Sequence, residues 1–168
     1  MNFLIRPAEE RDYAEILRLN AADVEMLSPM DKDTLCRMAN LTELFQVAES
    51  NGKAAAFQMI YRENTGYWSE NYAWFCKHYP RFLYVDRIVV GNEYRKNGLG
   101  KKLYDEVFRY AEKTQVQLIA AEIDIAPNYN APSMVFHEKM GFHEVGTKLF
   151  KEKITVSLQI KDIKENGI

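Results

Sequence analysis

Residues 82 to 125 restrict this chain's possible folds more than any other stretch. They read FLYVDRIVV, then GNEYRKNGLG, then KKLYDEVFRYAEKTQVQ, then LIAAEIDI. Branched and aromatic residues fill the first run, as a buried strand requires. Over 99–113, Leu103, Val107 and Tyr110 fall on one face at helical spacing. The last run, 118–125, is apolar again and of strand length. Strand, helix and strand in this order make a crossover unit, right-handed if the two strands are parallel.

The remainder surrounds that unit with shorter elements. Residues 3–6 form a first strand ended by Pro7, and 10–20 a helix with Tyr13, Ile16, Leu17 and Leu19 as its apolar stripe and Asp12 as candidate cap. A second helix is expected over 33–41. Strands 44–49 and 54–61 are joined by Asn51-Gly52, a strong hairpin turn. Over 63–80 the pattern breaks, and Ser69 is placed to cap a short helix running to Lys77. Residues 133–140 read as a helix stopped by Gly141. Strands 142–150 and 154–160 close the order as a hairpin with a KEK turn, followed by the frayed tail KDIKENGI. Hairpins mixed with strand-helix-strand units predict one α/β (mixed α+β) domain over 1–162, with a short tail over 163–168. Its central sheet should be mixed, mostly antiparallel and flanked by helices.

Composition excludes several classes of partner. The 168 residues are 47% hydrophobic and 27% charged, with 22 basic against 24 acidic side chains and a net charge of -2. Such a balance offers no general attraction for nucleic acid or a membrane surface. No run is long enough to span a bilayer, and the start lacks a secretory signal core. Cys36 and Cys76 form neither a metal-spaced pair nor a disulfide framework, so a reducing, cytoplasmic setting is expected and no metal site.

The glycine-rich turn carries the chemistry. Gly98 and Gly100 let the backbone bend and come close to a ligand. A helix starting at Leu99 leaves its first N–H groups unpaired, and with the helix dipole they favour an anion. Arg95 can add a planar fork, and Lys96 and Lys101 further positive charge. The alternative is a plain strand-to-helix connection with solvated basic residues. Neither the Walker A spacing nor the three-glycine dinucleotide pattern is present.

The segment VVGNEYRKNGLGKKLYDEV resembles the acyl-CoA-binding segment of the GCN5-related N-acetyltransferases. Their signature Gln/Arg-x-x-Gly-x-Gly/Ala reads here as Arg95, Lys96, Asn97, Gly98, Leu99, Gly100. NAPSMVFHEKMGF resembles the same family's helix followed by Gly-Phe. The order of elements from Phe3 to about Ile160 also matches.

The resemblance implies the acyl-CoA N-acyltransferase fold, with a V-shaped opening between the strand near Ile88 and the strand over 118–125. Acetyl-CoA, or another acyl-CoA, would lie there. Backbone groups from Arg95 through Lys101 would hold its pyrophosphate, and groups at Ile88, Val89 and Val90 its pantetheine arm. Asn130 would touch the same arm or serve as a turn residue. The implied reaction is direct transfer of the acyl group to the primary amine of a small molecule. A protein N-terminus or lysine is the alternative acceptor, and a non-catalytic acyl-CoA-binding module the alternative function.

His137 stands where many family members carry a tyrosine that protonates the departing sulfur, and can take that acid role. Asp86, on the strand before the turn, is the first candidate for the base, or else half of a structural ion pair with Arg87. Glu122 is a second acidic candidate. Tyr67, Trp68, Tyr72 and Trp74 either shape the acceptor pocket or form a satellite core. Asp23, Glu25, Glu63 and Glu70 could attract an amine. An edge strand or the closing strands leave a homodimer open.

Overall fold

The structure is a computed structural model and describes residues 2–23, 27–150 and 153–163. The described residues form strands β1 (Leu4–Pro7), β2 (Leu44–Ser50), β3 (Lys53–Arg62), β4 (Leu83–Val90), β5 (Leu118–Ala126), β6 (His143–Phe150) and β7 (Ile154–Asp162). The helices are α1 (Tyr13–Ala22), α2 (Lys32–Ala39), α3 (Glu70–His78), α4 (Leu99–Lys113) and α5 (Ala131–Lys139). The strands make one sheet in the order β1-β2-β3-β4-β5-β7-β6. It is mixed, mostly antiparallel and flanked by helices, as the sequence predicts. No helix among the described residues is long and apolar enough to cross a membrane.

The chain divides into two compact units. The first comprises the segment up to Tyr61 together with Asp86–Arg109. Here β2 pairs antiparallel with both β1 and β3. The β2–β3 turn takes positive φ at both Asn51 and Gly52 (51° and 77°), the twist a tight hairpin needs. Ala48, Ala55 and Ala56 bring small side chains to the surface on which Leu99 and Leu103 pack. Short side chains let the start of α4 lie close to the strands, which fixes where the preceding glycine turn ends. Gly91 is equally constrained: a Cβ there would stand 3.0 Å from Leu19 and 3.2 Å from the Ala55 carbonyl.

The second unit comprises Arg62–Val85 and the chain from Tyr110 onward. In it β4 and β5 run parallel, with Leu83, Tyr84 and Val85 opposite Ile119, Ala120 and Ala121. β7 lies antiparallel to both β5 and β6. One face carries Tyr84, Glu122, Leu158 and Gly146, because Tyr84 opposes Ala120 while Glu122 and Gly146 both oppose Leu158. α3 covers this face: Asn71 reaches Glu122, and Trp74 lies 4.0 Å from where a Gly146 Cβ would be.

Element ends differ from the sequence reading where a side chain found a better partner. Asp12 does not cap α1. It lies in a short 3-10 turn, Glu10–Asp12, where its carboxylate accepts from the Glu9 N–H at 2.9 Å and from Arg6 at 2.7 and 2.8 Å. Asp31 caps α2 by accepting from the Thr34 N–H, so that helix starts one residue earlier than expected. Ser69 caps α3 as predicted. Gly141, at φ 87°, ends α5, with the Phe142 N–H bonded to the His137 carbonyl at 2.9 Å. β7 continues through Asp162, so Lys161 and Asp162 are ladder residues rather than frayed tail. Glu25, the first two residues of the KEK turn and residues 164–168 of the tail lie outside the described residues.

Candidate active site

In the first unit, β4 ends at Val90 and the chain enters a 3-10 turn, Asn92–Tyr94. Lys96 and Gly98 then take positive φ, 65° and 73°. This region costs an L-residue about 1–2 kcal/mol but suits glycine. Among the described residues, no hydrogen bond is donated by the backbone N–H groups of Lys96, Asn97, Gly98, Leu99, Gly100 and Lys101. The N–H of Lys102 makes the first helical bond, to the Gly98 carbonyl at 3.0 Å. Six consecutive donors at the positive end of a fifteen-residue helix make a cradle for an anion. No heavy atom stands within 4 Å of a Cβ built on Gly98, so the approach to these donors is open. The residues present therefore fit a pyrophosphate.

The basic side chains divide differently from the sequence expectation. The Arg95 fork is turned to Asp23 at 2.7 and 2.8 Å and to the Val90 carbonyl at 3.3 Å, rather than held open for a ligand. Lys101 Nζ pairs with Asp105, at 2.8 Å, and Lys102 Nζ sits 5.8 Å from the centre of the Phe3 ring. The cradle is thus built by main chain, with lysines around it. Ile88 and Val90 anchor its approach by packing against the core that holds Leu99 and Leu103, and Val89 is buried.

Asp86 follows the ion-pair alternative in its contacts. Its Oδ2 accepts from Arg87 Nε at 2.7 Å, and the two side chains are only 7% and 5% exposed. Arg87 also donates to Asn20 Oδ1, at 2.7 Å, and the Asn20 amide in turn donates to the Ser28 carbonyl at 3.1 Å. The pair thereby ties β4 to α1 and to the segment that follows it.

In the second unit, Asn130 caps α5, accepting from the Ser133 N–H at 3.2 Å. One turn later, His137 Nδ1 lies 2.8 Å from the Ser133 carbonyl and 3.3 Å from the Ser133 hydroxyl. A carbonyl only accepts, so Nδ1 carries the proton and, in the neutral ring, Nε2 is the acceptor. Phe136 and Phe142 meet the ring edge to face. Burial lowers the imidazole pKa and the Ser133 carbonyl pulls it back upward, the first effect prevailing. The acid role expected from sequence requires a proton on Nε2, a form this environment disfavours.

The aromatic segment splits into two groups. Tyr67, Tyr72, Phe75, Phe82 and Tyr84 are buried against one another, Tyr72 touching Tyr67, Phe82 and Tyr84 at ring distances of 5.4 to 6.1 Å. The Tyr72 hydroxyl donates to the Arg62 carbonyl at 2.6 Å and accepts from the Thr65 N–H at 2.9 Å, pinning the loop before α3. Trp68 packs against Tyr67 with the two rings tilted by 58° and stays 47% exposed. Trp74 points to β6 instead and stacks on His78 at 3.8 Å. Glu63 belongs to the loop's internal bonding: burial pushes its carboxyl upward, and hydrogen bonds from Arg62 and the Phe82 N–H together outweigh that and hold it below the usual range. Glu70 is bound up with Lys148 on the far side of α3.

Both carboxylate oxygens of Glu122 are met from other elements. Its Oε1 accepts from Asn71 Nδ2 at 2.9 Å, and its Oε2 accepts from the Tyr84 hydroxyl. Sequence reasoning picked out Glu122 but passed over Tyr84 and Asn71 as partners. Alternation along β4 and β5 could have placed Tyr84 and Glu122 on one face. Nothing local marks Asn71.

Comparison with known proteins agrees with this fold. No curated protein sequence is significantly similar to the chain. Among solved structures, the ribosomal-protein-S18-alanine N-acetyltransferase from Escherichia coli superimposes with a TM-score of 0.71 at 19% identity, over 99% of this chain and 97% of that one. Ard1 from Thermoplasma volcanium gives 0.78 at 14% identity, over 98% and 100%. yncA from Salmonella typhimurium, solved with its cofactor acetyl-CoA, gives 0.71 at 19% identity, over 100% and 98%. At these identities the likenesses establish the fold. The sequence itself matches the acetyltransferase (GNAT) family over residues 8–142. The chain is a member of the GNAT acetyltransferase family, whose general chemistry is acyl transfer from acyl-CoA.

Proposed function

We propose that this protein transfers an acetyl group from acetyl-CoA to the primary amine of a small molecule, by direct attack while both substrates are bound. The run of six open backbone donors from Lys96 to Lys101, in a chain of this family, carries the reading. When bound, acetyl-CoA supplies an activated thioester. The main chain from Arg95 to Lys101 holds the diphosphate end, and Ile88, Val89 and Val90 offer strand groups to the pantetheine arm. Asn130 keeps α5 in place by its cap. Alignment of amine and thioester supplies most of the rate.

An acid role for His137 requires the charged ring, so the chemical step would slow as pH rises through the depressed imidazole pKa. A flat rate there assigns the sulfur's proton to water or a tyrosine. Two free cysteines, Cys36 and Cys76, support a reducing, cytoplasmic setting. Tyr67, Trp68 and Tyr72 stand on the acceptor side in this reading, and Trp74 on the opposite side of α3.

The test is acetyl-CoA binding by calorimetry, followed by turnover against a panel of small amines, peptides with free N-termini and lysine peptides, with product mass measured. Faster acetylation of small amines supports the reading. Preference for peptides overturns the small-molecule acceptor in favour of a protein N-terminus or lysine. Binding with no turnover across the panel leaves a non-catalytic acyl-CoA module, and absence of binding removes the proposed site.

A further inference from the structure

Arg95 stands directly before the six open donors, yet its guanidinium answers to the end of α1. One nitrogen, Nη2, donates to both carboxylate oxygens of Asp23, at 2.7 and 2.8 Å, while Nε reaches the Val90 carbonyl at 3.3 Å. Asp23 is the C-cap residue of α1, its N–H bonded to the Asn20 carbonyl at 3.2 Å. A carboxylate there faces the negative end of the helix dipole and is stabilised by a nearby cation. The last turn of α1 holds no basic residue. Arg95, 72 residues further along, supplies the charge.

Two ties hold this end of α1, and they differ in kind. Arg87 donates to Asn20 Oδ1 at 2.7 Å and the Asn20 amide to the Ser28 carbonyl at 3.1 Å, and both side chains are buried. The side chains of Arg95 and Asp23 are instead 49% and 29% exposed. An exposed ion pair is worth little. Grip through a single nitrogen also forgoes the two parallel bonds that make a guanidinium–oxyanion pair strong. A phosphate seated on the donors from Lys96 to Lys101 offers those two bonds and a greater charge.

We propose that Asp23 is an internal competitor of the cofactor's phosphates for Arg95, and that the exchange couples filling of the cradle to the end of α1. This rests on the acyl-CoA reading above and goes beyond it. With the guanidinium drawn to a phosphate, Asp23 is left at the helix C-terminus without its cation, and the last turn of α1 loosens. Coupling between two binding events is reciprocal, so the hold of Asp23 on Arg95 weakens the hold on phosphate by the same factor. Asp23 thus sets cofactor affinity from outside the cradle.

Removing any acid near an anion site strengthens binding by charge alone, so competition has to be told from repulsion. Glu93 provides the control. It lies two residues before Arg95, carries the same charge as Asp23, and is bonded to Arg18 at 3.4 Å rather than to Arg95.

The experiment titrates CoA by calorimetry into wild type, Asp23→Asn, Arg95→Ala, the double variant and Glu93→Gln. Asp23→Asn should tighten CoA binding by about two- to fivefold, the worth of an exposed ion pair. Arg95→Ala should weaken it, and in that background Asp23→Asn should leave it unchanged, since competition needs both partners. Glu93→Gln should fall short of the Asp23→Asn gain. Amide hydrogen exchange of the wild type gives a readout that needs no variant. CoA should speed it at Asp23 and Leu27, whose N–H groups bond to the Asn20 and Asp23 carbonyls.

A CoA affinity in Asp23→Asn equal to or below that of wild type overturns this inference alone. So does an equal gain in the Arg95→Ala background or in Glu93→Gln, which is repulsion without competition. Hydrogen exchange at Asp23 and Leu27 that CoA leaves unchanged or slows overturns it as well. A wild type that binds no CoA fails at the earlier step and removes the acyl-CoA reading itself.

Discussion

Replacing Asp86 with asparagine separates two roles that one carboxylate could play. The substitution keeps shape and removes charge. In the structure it would put a neutral amide where the Asp86 carboxylate lies 2.7 Å from Nε of the buried Arg87 guanidinium. Removing one partner of a buried pair costs about 3–5 kcal/mol, because the remaining charge stays desolvated. For a chain of this length each kcal/mol lowers Tm by about 2–4 °C, so the variant should melt roughly 6–20 °C below wild type. Adding Arg87→Met removes the buried guanidinium as well and should restore at least about 2 kcal/mol, since paired removal is often near neutral. Urea unfolding followed by circular dichroism gives the stabilities, and acetyl transfer measured well below each transition gives the rates. A variant within about 0.5 kcal/mol of wild type that has nonetheless lost turnover would refute the ion-pair argument and make Asp86 the base.

Two further outcomes follow from local geometry. Gly98→Ala places a Cβ where nothing lies within 4 Å, so its cost is the positive φ of 73° alone; about 1 kcal/mol and a Tm loss of about 2–4 °C are expected, with weaker acetyl-CoA binding by calorimetry. A much larger Tm loss would mean the turn is packed rather than open. His137 has a folded-state pKa below its ordinary value of about 6.5, so the unfolded chain takes up its proton first and stability falls as pH drops below that value. Urea unfolding at neutral and mildly acidic pH should show a smaller loss for His137→Gln than for wild type, and equal losses would refute the burial argument.

The strand-turn-helix-strand order, the Asn51-Gly52 hairpin, the Ser69 cap and the Gly141 stop were legible in the sequence because each depends on neighbours within a few residues. The open glycine turn was legible for the same reason: φ at Gly98 and the unpaired N–H groups of a helix start are local properties. Partners brought from distant segments were not legible. Arg95 turns to Asp23, 72 residues away, instead of to the open turn. Asp12 answers to Arg6 and leaves α1 without a side-chain cap. Tyr84, Asn71 and Glu122 come from β4, α3 and β5, and only the sheet order and the packing of α3 bring them together. Backbone torsion and helix dipoles act over a few residues and are written along the chain. The pairing of buried charges and donors depends on which surfaces the fold presses together, and only the tertiary structure decides that.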